Sequence, residues 1–167
     1  GSANQAGLLA GENFGTVRRC TVRGSVTGQE DIGGLVGFNG ESGSLISCSS
    51  AADVTGVYNV GGIAGENLGT VERCSNTGNL NVEADQDTPT NVGGIVGLSR
   101  GTICGCSNAG PVGYQHVGYN MGGIAGLQSG EISECTNTGS IQGRKDVGGI
   151  AGQFEPYTSL TYGPSPS

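Results

Sequence analysis

The stretch Gly61-Gly62-Ile63-Ala64-Gly65 decides the fold, because close copies of it return along the whole chain. A degenerate copy occupies residues 7–11, and successive closing glycines are 26, 28, 32, 29 and 26 residues apart. The closing glycines of the five full copies are Gly37, Gly65, Gly97, Gly126 and Gly152. A near-constant period in this range is typical of a solenoid, in which each repeat forms one structural unit. The chain is therefore predicted to be a repeat array.

Five apolar columns appear when the repeats are aligned on their closing glycines. In the repeat around Gly65 the columns are occupied by Val60, Ile63, Val71, Cys74 and Leu80. Frequent glycines argue against helix, because each costs about 1 kcal/mol relative to alanine. Short β-strands separated by turns at Gly, Asn and Thr are expected instead. Where two columns lie three residues apart, as Val71 and Cys74 do, a bend or bulge is required.

The repeats must stack, because the few apolar side chains of one repeat cannot offset the conformational entropy of ordering it. Parallel strands about 4.8 Å apart would give every backbone group a partner in the next coil. We predict an all-β parallel β-helix (β-solenoid) of about five coils, one per repeat of 26–32 residues, with a right-handed coil favoured. Residues 3–156 are expected to form one solenoid domain and residues 157–167 a C-terminal cap or linker. Gly1-Ser2 resembles a residue pair left by tag removal.

Composition and charge disfavour binding to nucleic acid and insertion into a membrane. The net charge is −7, from 14 acidic and 7 basic residues, and the bases are scattered, which disfavours nucleic acid as a ligand. No apolar stretch approaches the roughly 18 residues that span a bilayer, so no membrane insertion is expected. Aromatic residues are 5% of the chain and Trp is absent, so the interior must be built from Ile, Val, Leu, Ala and Cys.

Five of the six cysteines occupy one column of the repeat. They are Cys20, Cys48, Cys74, Cys106 and Cys135. Side chains stacked at the inter-strand spacing point in parallel, whereas a disulfide needs Cβ atoms about 3.8 Å apart and turned toward each other. We therefore predict a buried structural ladder of thiols. The sixth, Cys104, lies two residues before Cys106, and with His116 it makes a weak case for a metal, but the spacing matches no zinc pattern. No metal site and no cofactor are expected.

Asp and Asn form a further column immediately before the first apolar column. Its members are Asp31, Asn59, Asn91, Asn120 and Asp146. These residue types tolerate left-handed backbone conformations, so corner residues are the favoured interpretation over a calcium site. The acids of the insertion at 83–87 could take a hard cation, although a solvated loop is the expected state.

The weakly indicated ligand-binding residues are Tyr58, Tyr114, His116 and Tyr119. The insertion 111–119 gathers two of the tyrosines and the single histidine, and Tyr58 stands at the position equivalent to Tyr119. Exposed tyrosines can hold a sugar or a peptide, or can simply cover apolar surface. Specificity is expected where the copies differ, above all in residues 83–90 and 111–119.

The recurring Gly-(Leu/Ile)-x-Gly, as in Gly34–Gly37 and Gly62–Gly65, resembles the GLUG-motif repeat family, and the trailing Cys74-Ser75-Asn76-Thr77-Gly78 is similar to that family's style. Ile replaces Leu in four copies. The resemblance implies a non-enzymatic repeat segment of a bacterial cell-surface or secreted protein, an adhesin-like binding module or a structural stalk, in an extracellular location. It transfers no catalytic residue.

Two alternatives stay open: a carbohydrate-active β-helix protein, and an accessory domain of a large secreted peptidase. The metallopeptidase pattern His-Glu-x-x-His is absent from the sequence. The expected partner is a host or microbial glycan or protein, and the chain is expected to be a monomer or a weak end-to-end dimer through its terminal coils.

Overall fold

The computed structural model describes residues 4–83, 86–154 and 159–161. These residues form short β-strands joined by turns, with no helix among them. The chain winds through five complete coils and part of a sixth, and equivalent strands of successive coils pair in parallel. The prediction of an all-β parallel β-solenoid is confirmed.

The strands recur in the same order in every coil. The first coil contains β1 (Asn4–Ala6), β2 (Ala10–Asn13), β3 (Thr16–Arg18), β4 (Thr21–Val22) and β5 (Ser25–Thr27). The second contains β6 (Glu30–Gly33), β7 (Val36–Asn39), β8 (Ser44–Ile46), β9 (Ser49–Ser50) and β10 (Asp53–Thr55). The third contains β11 (Tyr58–Gly61), β12 (Ala64–Asn67), β13 (Thr70–Glu72) and β14 (Ser75–Asn76).

The later coils keep this order. The fourth contains β15 (Thr90–Gly93), β16 (Val96–Ser99), β17 (Thr102–Cys104) and β18 (Ser107–Asn108). The fifth contains β19 (Tyr119–Gly122), β20 (Ala125–Gln128), β21 (Glu131–Ser133) and β22 (Thr136–Asn137). The partial sixth contains β23 (Lys145–Gly148), β24 (Ala151–Phe154) and β25 (Ser159–Thr161).

Four parallel sheets run along the solenoid, and we name them by their order within a coil. They are sheet A (β1, β6, β11, β15, β19, β23), sheet B (β2, β7, β12, β16, β20, β24), sheet C (β3, β8, β13, β17, β21, β25) and sheet D (β4, β9, β14, β18, β22). A fifth column, E, begins with the pair β5–β10 and continues as single bridges through Leu80, Val112 and Ile141. In sheet A, Val60 pairs with Ile32 on one side and Val92 on the other, so the apolar columns of the sequence are stacked columns of the structure.

The three-residue spacing between apolar columns has a simple cause at the start of sheet D. The residue before each column cysteine adopts a left-handed conformation, with φ between 51° and 65°. These residues are Arg19, Ser47, Arg73, Gly105 and Glu134. One left-handed residue turns the chain between sheets C and D, so that Val71 and Cys74 both face the same interior. The bend that the spacing requires is therefore a corner.

The Asp and Asn column before sheet A also consists of corner residues. All five have φ between 56° and 62°, which confirms the favoured interpretation of that column. Their side chains stack along the solenoid, where Asn91 donates from Nδ2 to Oδ1 of Asn59 at 2.9 Å. The same bond joins Asn59 to Asp31 at 2.9 Å and Asn120 to Asn91 at 2.8 Å. This amide ladder links four successive coils.

The closing glycine of each phrase allows sheet B to pack closely against sheet A of the preceding coil. A Cβ added at Gly97 would collide with the backbone nitrogen of Val60, and one added at Gly126 with that of Val92. The first glycine of the phrase is equally confined, since a Cβ at Gly61 would overlap the carbonyl oxygen of Ala64. The backbones of sheets A and B therefore lie in direct contact, and a residue larger than glycine at these positions would prevent that contact.

This close approach leaves room for apolar side chains on the outer sides of the two sheets. The buried apolar residues accordingly form two separate clusters. One cluster, which includes Leu35, Leu45 and Cys48, lies among sheets B, C and D. The other, which includes Ile32 and Val54, lies between sheet A and column E. The five apolar columns thus belong to two interiors, a division that the sequence pattern does not reveal.

A buried asparagine ladder stands against the tip of the glycine phrase. Asn76 donates to Asn108 at 2.8 Å, and Asn108 donates to Asn137 at 2.9 Å. Asn108 also bonds its own loop, donating to the oxygen of Gly110 at 2.9 Å and accepting from its nitrogen at 3.2 Å. A Cβ added at Gly94 would collide with the Asn108 side chain. These hydrogen bonds therefore satisfy the buried side-chain amides of the ladder at the place where sheet D packs against the glycine phrase.

A third ladder lies between sheets B and C. Asn13 donates to Asn39 at 2.9 Å, Asn39 donates to Asn67 at 2.9 Å, and Asn67 donates to the hydroxyl of Ser99 at 3.3 Å. Asn39 and Asn67 are fully buried. Sequence analysis missed this column, although the phrase Gly-Glu-Asn at residues 11–13 and 65–67 repeats it.

The two predicted end segments lie partly outside the described residues. Residues 1–3, 155–158 and 162–167 are among those not described, so the tag-like pair and most of the segment 157–167 fall outside the description. Within that segment, β25 pairs in parallel with β21, which places Leu160 next to Ile132 in sheet C.

Candidate functional site

The coils differ most at the corner where column E leads into sheet A. In the second coil, Gly56 and Val57 alone connect β10 to β11. In the third coil the connection from Leu80 to β15 takes in residues 81–89, and in the fourth the connection from Val112 to β19 takes in residues 113–118. The two insertions are neighbours, since the nitrogen of Tyr119 donates to the oxygen of Pro89 at 3.0 Å. We call residues 81–89 and 113–118 the insertion corner.

A groove of about 400 Å³ lies on one side of the insertion corner. Its floor consists of the short turns 27–29 and 55–57 of two stacked coils, and its wall carries Glu83, Gln86 and Asp87. The groove exists because a long insertion follows two short turns along the solenoid. We call it the first groove.

Hydrogen bonds fix the first groove in place. Asn81, which is buried and has φ of 51°, donates to the oxygen of Gly56 at 2.8 Å and to Oε1 of Gln86 at 2.6 Å. Gln86 in turn donates to the oxygen of Asn81 at 2.8 Å and to the oxygen of Glu83. One buried amide therefore ties the floor of the groove to its wall.

A second groove, of about 440 Å³, lies on the other side of the insertion corner. Gln115 and His116 of the insertion form one wall, and residues 141–143 of the next coil with Val147 form the other. The insertion turns tightly here, because the nitrogen of Val117 donates to the oxygen of Tyr114 at 3.1 Å and His116 has φ of 61°.

The four predicted ligand-binding residues all lie at this corner, but they do not share one pocket. Tyr58 is the first residue of β11, and Tyr119 is the first residue of β19. Both strands pair with β15, one on each side, so that Thr90 lies between the two tyrosines in sheet A. They are 52% and 37% exposed, and two strand spacings of about 4.8 Å separate them. Tyr58 follows Val57 of the first groove directly, whereas His116 lines the second groove. Tyr114 is 40% exposed on the insertion itself.

A family model described as the GLUG motif matches residues 28–55 and residues 117–142. Two of the chain's repeats are GLUG motifs. The resemblance identified from the sequence is confirmed at these two repeats, which are the second and the fifth coil. No match was found among curated proteins or among solved structures.

Each matched GLUG repeat begins and ends where column E leads into sheet A. The first runs from Gly28 to Thr55, and both residues line the first groove. The second runs from Val117, at the end of the insertion, to Gln142 in the second groove. Insertion 81–89 therefore falls between GLUG repeats, where added length leaves the stacked strands of each coil undisturbed.

A carboxyl pair connects the second and third coils near the start of sheet A. Glu66 in β12 has a side chain 15% exposed, and it lies against the buried Asp31 of the preceding coil. Burial first, and then the negative charge of Asp31, raise the pKa of Glu66 from 4.5 to about 7. Arg100 lies 3.8 Å from Glu66 and offsets this effect in part.

This pair is expected to make stability depend on pH. Because the pKa of Glu66 is raised in the folded state, the folded chain binds a proton more tightly than the unfolded chain between pH 4.5 and about 7. Its contribution is fully present below pH 4.5 and is lost as the pH rises through 7. We expect the free energy of unfolding to fall by about 1 to 3 kcal/mol across this window, as measured by urea denaturation.

Glu66→Gln should abolish that part of the pH dependence and stabilise the protein at alkaline pH. Glu12→Gln is the matched control, because Glu12 occupies the same place in the phrase Gly-Glu-Asn and is exposed on the first coil. Equal pH profiles for wild type and Glu66→Gln would contradict the assignment.

The column cysteines stack in the interior, and all six thiols are free. The backbone nitrogen of Cys74 donates to Sγ of Cys106 at 3.4 Å, and that of Cys106 donates to Sγ of Cys135 at 3.4 Å. Hydrogen bonds with these neighbouring thiols, together with burial, raise the pKa of Cys106 well above its ordinary value. Burial also raises the pKa of Cys48. Cys48 and Cys106, held protonated in this way, are poor nucleophiles and poor metal ligands, whereas hydrogen bonds with Cys106 lower the pKa of Cys74 and the pKa of Cys135.

Within the described ranges, no three His, Cys, Asp or Glu side chains are grouped so that they could hold a metal ion. The described residues also include no helix of the length and apolarity needed to cross a membrane.

Proposed function

We propose that this GLUG-repeat chain is a non-enzymatic binding segment of a bacterial cell-surface or secreted protein, and that it recognises its partner at the insertion corner. The observation that carries this proposal is the coincidence of three features at one corner: the two longest connections, two grooves, and the exposed tyrosines. Elsewhere the coils repeat the same buried columns. A surface built by insertion into a regular scaffold is a common way to place binding residues.

Tyr58 and Tyr119 support a binding role by their arrangement. Both are exposed in one column, on a rigid sheet whose neighbouring strands hold them at a fixed spacing. Large aromatic side chains on a rigid support supply contact area at small entropic cost. The partner that this arrangement favours is a host or microbial glycan or protein.

Among the described residues, Asp31 and Glu66 are a pair of acids in direct contact, on which the carbohydrate-active alternative could rest. Glycosidase carboxyl groups stand about 5 Å or more apart, so that a sugar or a water molecule fits between them. The Glu66 carboxyl instead lies against Asp31 and shares its surroundings. This arrangement favours a structural pair, and it supports the non-enzymatic proposal.

The proposal is tested by binding to glycan and protein arrays. The double variant Tyr58→Ala/Tyr119→Ala should lose most of the signal that the wild type gives, by about tenfold or more in affinity, because each ring is expected to contribute a large share of the contact. Phe14→Ala is the matched control, since Phe14 is 57% exposed but lies on the first coil away from the corner. Undiminished binding by the double variant, or an equal loss in Phe14→Ala, would reject the insertion corner as the binding surface.

A further inference from the structure

We infer that the first groove binds a saccharide that carries a protonated amine. This inference deepens the proposed function and rests on it, because it assigns a ligand class to one part of the insertion corner.

The first groove is formed before any ligand arrives. Asn81 holds the turn at Gly56 and the side chain of Gln86 at once, through bonds of 2.8 and 2.6 Å. The two floor turns are held to each other as well, because the nitrogen of Gly28 donates to the oxygen of Thr55 at 3.1 Å. A groove of about 400 Å³ with fixed walls can bind a small ligand without an ordering penalty.

The lining of the groove suits a ligand rich in hydroxyl groups. Thr27 and Thr55 stack in register on its floor, and Gln29 adds an amide beside them. Val57 is the one apolar side chain among the described lining residues. Hydroxyl, amide and carboxylate groups donate to and accept from sugar hydroxyls, whereas an apolar ligand would leave them unpaired.

An exposed aromatic residue follows this polar lining in the sequence. Tyr58 follows Val57 directly and is half exposed. A pyranose ring has one face of C–H groups that packs against an aromatic ring, while its hydroxyl groups reach polar neighbours. Tyr58 is not among the lining residues, so this packing requires a ligand that extends beyond the groove, as an oligosaccharide does.

The charge of the groove selects among sugars. Glu83 and Asp87 are both exposed on the wall, and no basic residue is present among the lining residues that the structure describes. Glu30 follows Gln29 immediately and adds to the negative potential. An acidic sugar would be repelled by the two carboxylates, a neutral sugar would bind them through hydroxyl hydrogen bonds alone, and an ammonium group would add a charge pair. The ligand class is therefore an amino sugar with a free amine.

The test compares two oligosaccharides that share one backbone and differ in whether the amine is free or acetylated. Glucosamine hexamer and its N-acetylated counterpart have the same backbone, but the first carries protonated amines under mildly acidic conditions. We expect calorimetry to show binding of the glucosamine hexamer, weaker by about tenfold or more for the acetylated hexamer and in Glu83→Gln/Asp87→Asn. The affinity should fall as salt is added, because the contacts are exposed charges. Glu41→Gln is the control, because Glu41 is an exposed carboxylate in the turn between β7 and β8 and is not among the residues that line the first groove.

Each other outcome overturns the inference in a recognisable way. Equal affinity for both hexamers would mean that hydroxyl groups alone are recognised. An equal loss in Glu41→Gln would reveal diffuse attraction by the acidic chain. Binding of a lysine-rich peptide in place of the hexamer, lost in Glu83→Gln/Asp87→Asn, would assign the groove to a protein partner. No binding of either hexamer, with array binding still dependent on Tyr58 and Tyr119, would reject the ligand class and leave the proposed function standing.

Discussion

Replacing Gly97 with alanine is expected to lower the free energy of unfolding by about 3 to 5 kcal/mol, or to prevent folding altogether. Gly97 closes the phrase of the fourth coil, and a Cβ at this position would collide with the backbone nitrogen of Val60. The colliding atoms belong to the main chain of a paired strand, so no rotamer change relieves the overlap. Relief requires sheets A and B to separate, which would break contacts in both apolar clusters. Urea denaturation followed by circular dichroism measures the effect.

Gly15→Ala is the matched control for this substitution. Gly15 is exposed, and no atom lies within 4 Å of a Cβ added there. Its stability should therefore change by about 0.5 kcal/mol or less. If Gly97→Ala were as stable as Gly15→Ala, the close approach of sheets A and B would not be the reason for the closing glycine.

Replacing Asn108 with alanine is expected to destabilise the protein by a similar amount, about 3 to 5 kcal/mol. The substitution removes the partner of Asn76, the partner of Asn137 and both bonds to the loop at Gly110. Asn108 is 1% exposed, so water cannot replace these bonds without opening the coil. Each buried group left without a partner adds about 1 to 3 kcal/mol. The change is measured as a shift of the urea midpoint at unchanged slope.

Asn79→Ala provides the comparison within the same segment of a coil. Asn79 is exposed and makes one side-chain bond, to Oδ1 of Asp53 at 3.0 Å. Water replaces that bond, so the expected loss is about 0.5 kcal/mol or less. Similar losses in the two variants would show that the ladder contributes no more than a surface hydrogen bond.

Most of the architecture follows from the sequence because it is repeated. The period, the apolar columns and the Asx corners each appear several times, so a position such as Val60 is identified by its counterparts Ile32 and Val92. The left-handed corner before the cysteines was not predicted. Arg73 and Glu134 share no chemistry that indicates such a conformation, and side chains of this kind adopt it infrequently.

The two apolar clusters escaped prediction for a different reason. A column shows that Ile32 and Leu35 are both buried, but it does not show that they point to opposite sides of a glycine-packed layer. That division depends on contacts between successive coils, such as the one between Gly97 and Val60.

The candidate site could be located from the sequence but not described. Specificity was expected in residues 83–90 and 111–119, and the structure places both grooves against those insertions. The floor of the first groove comes from turns that sequence analysis passed over, 27–29 and 55–57. A groove arises from the difference in length between neighbouring coils, and a single segment such as Glu83 to Asp87 does not contain that information.

Because equivalent strands of successive coils pair in the same register, the length of the solenoid is proportional to the number of its coils. Every interface between coils joins the same columns, as when Val71 pairs with Leu45 on one side and Ile103 on the other. A gene that gains or loses one repeat therefore changes the length of the rod by one step of about 4.8 Å and leaves the chemistry of each junction the same. Recombination between repeats can thus set how far the insertion corner stands from either end of the solenoid.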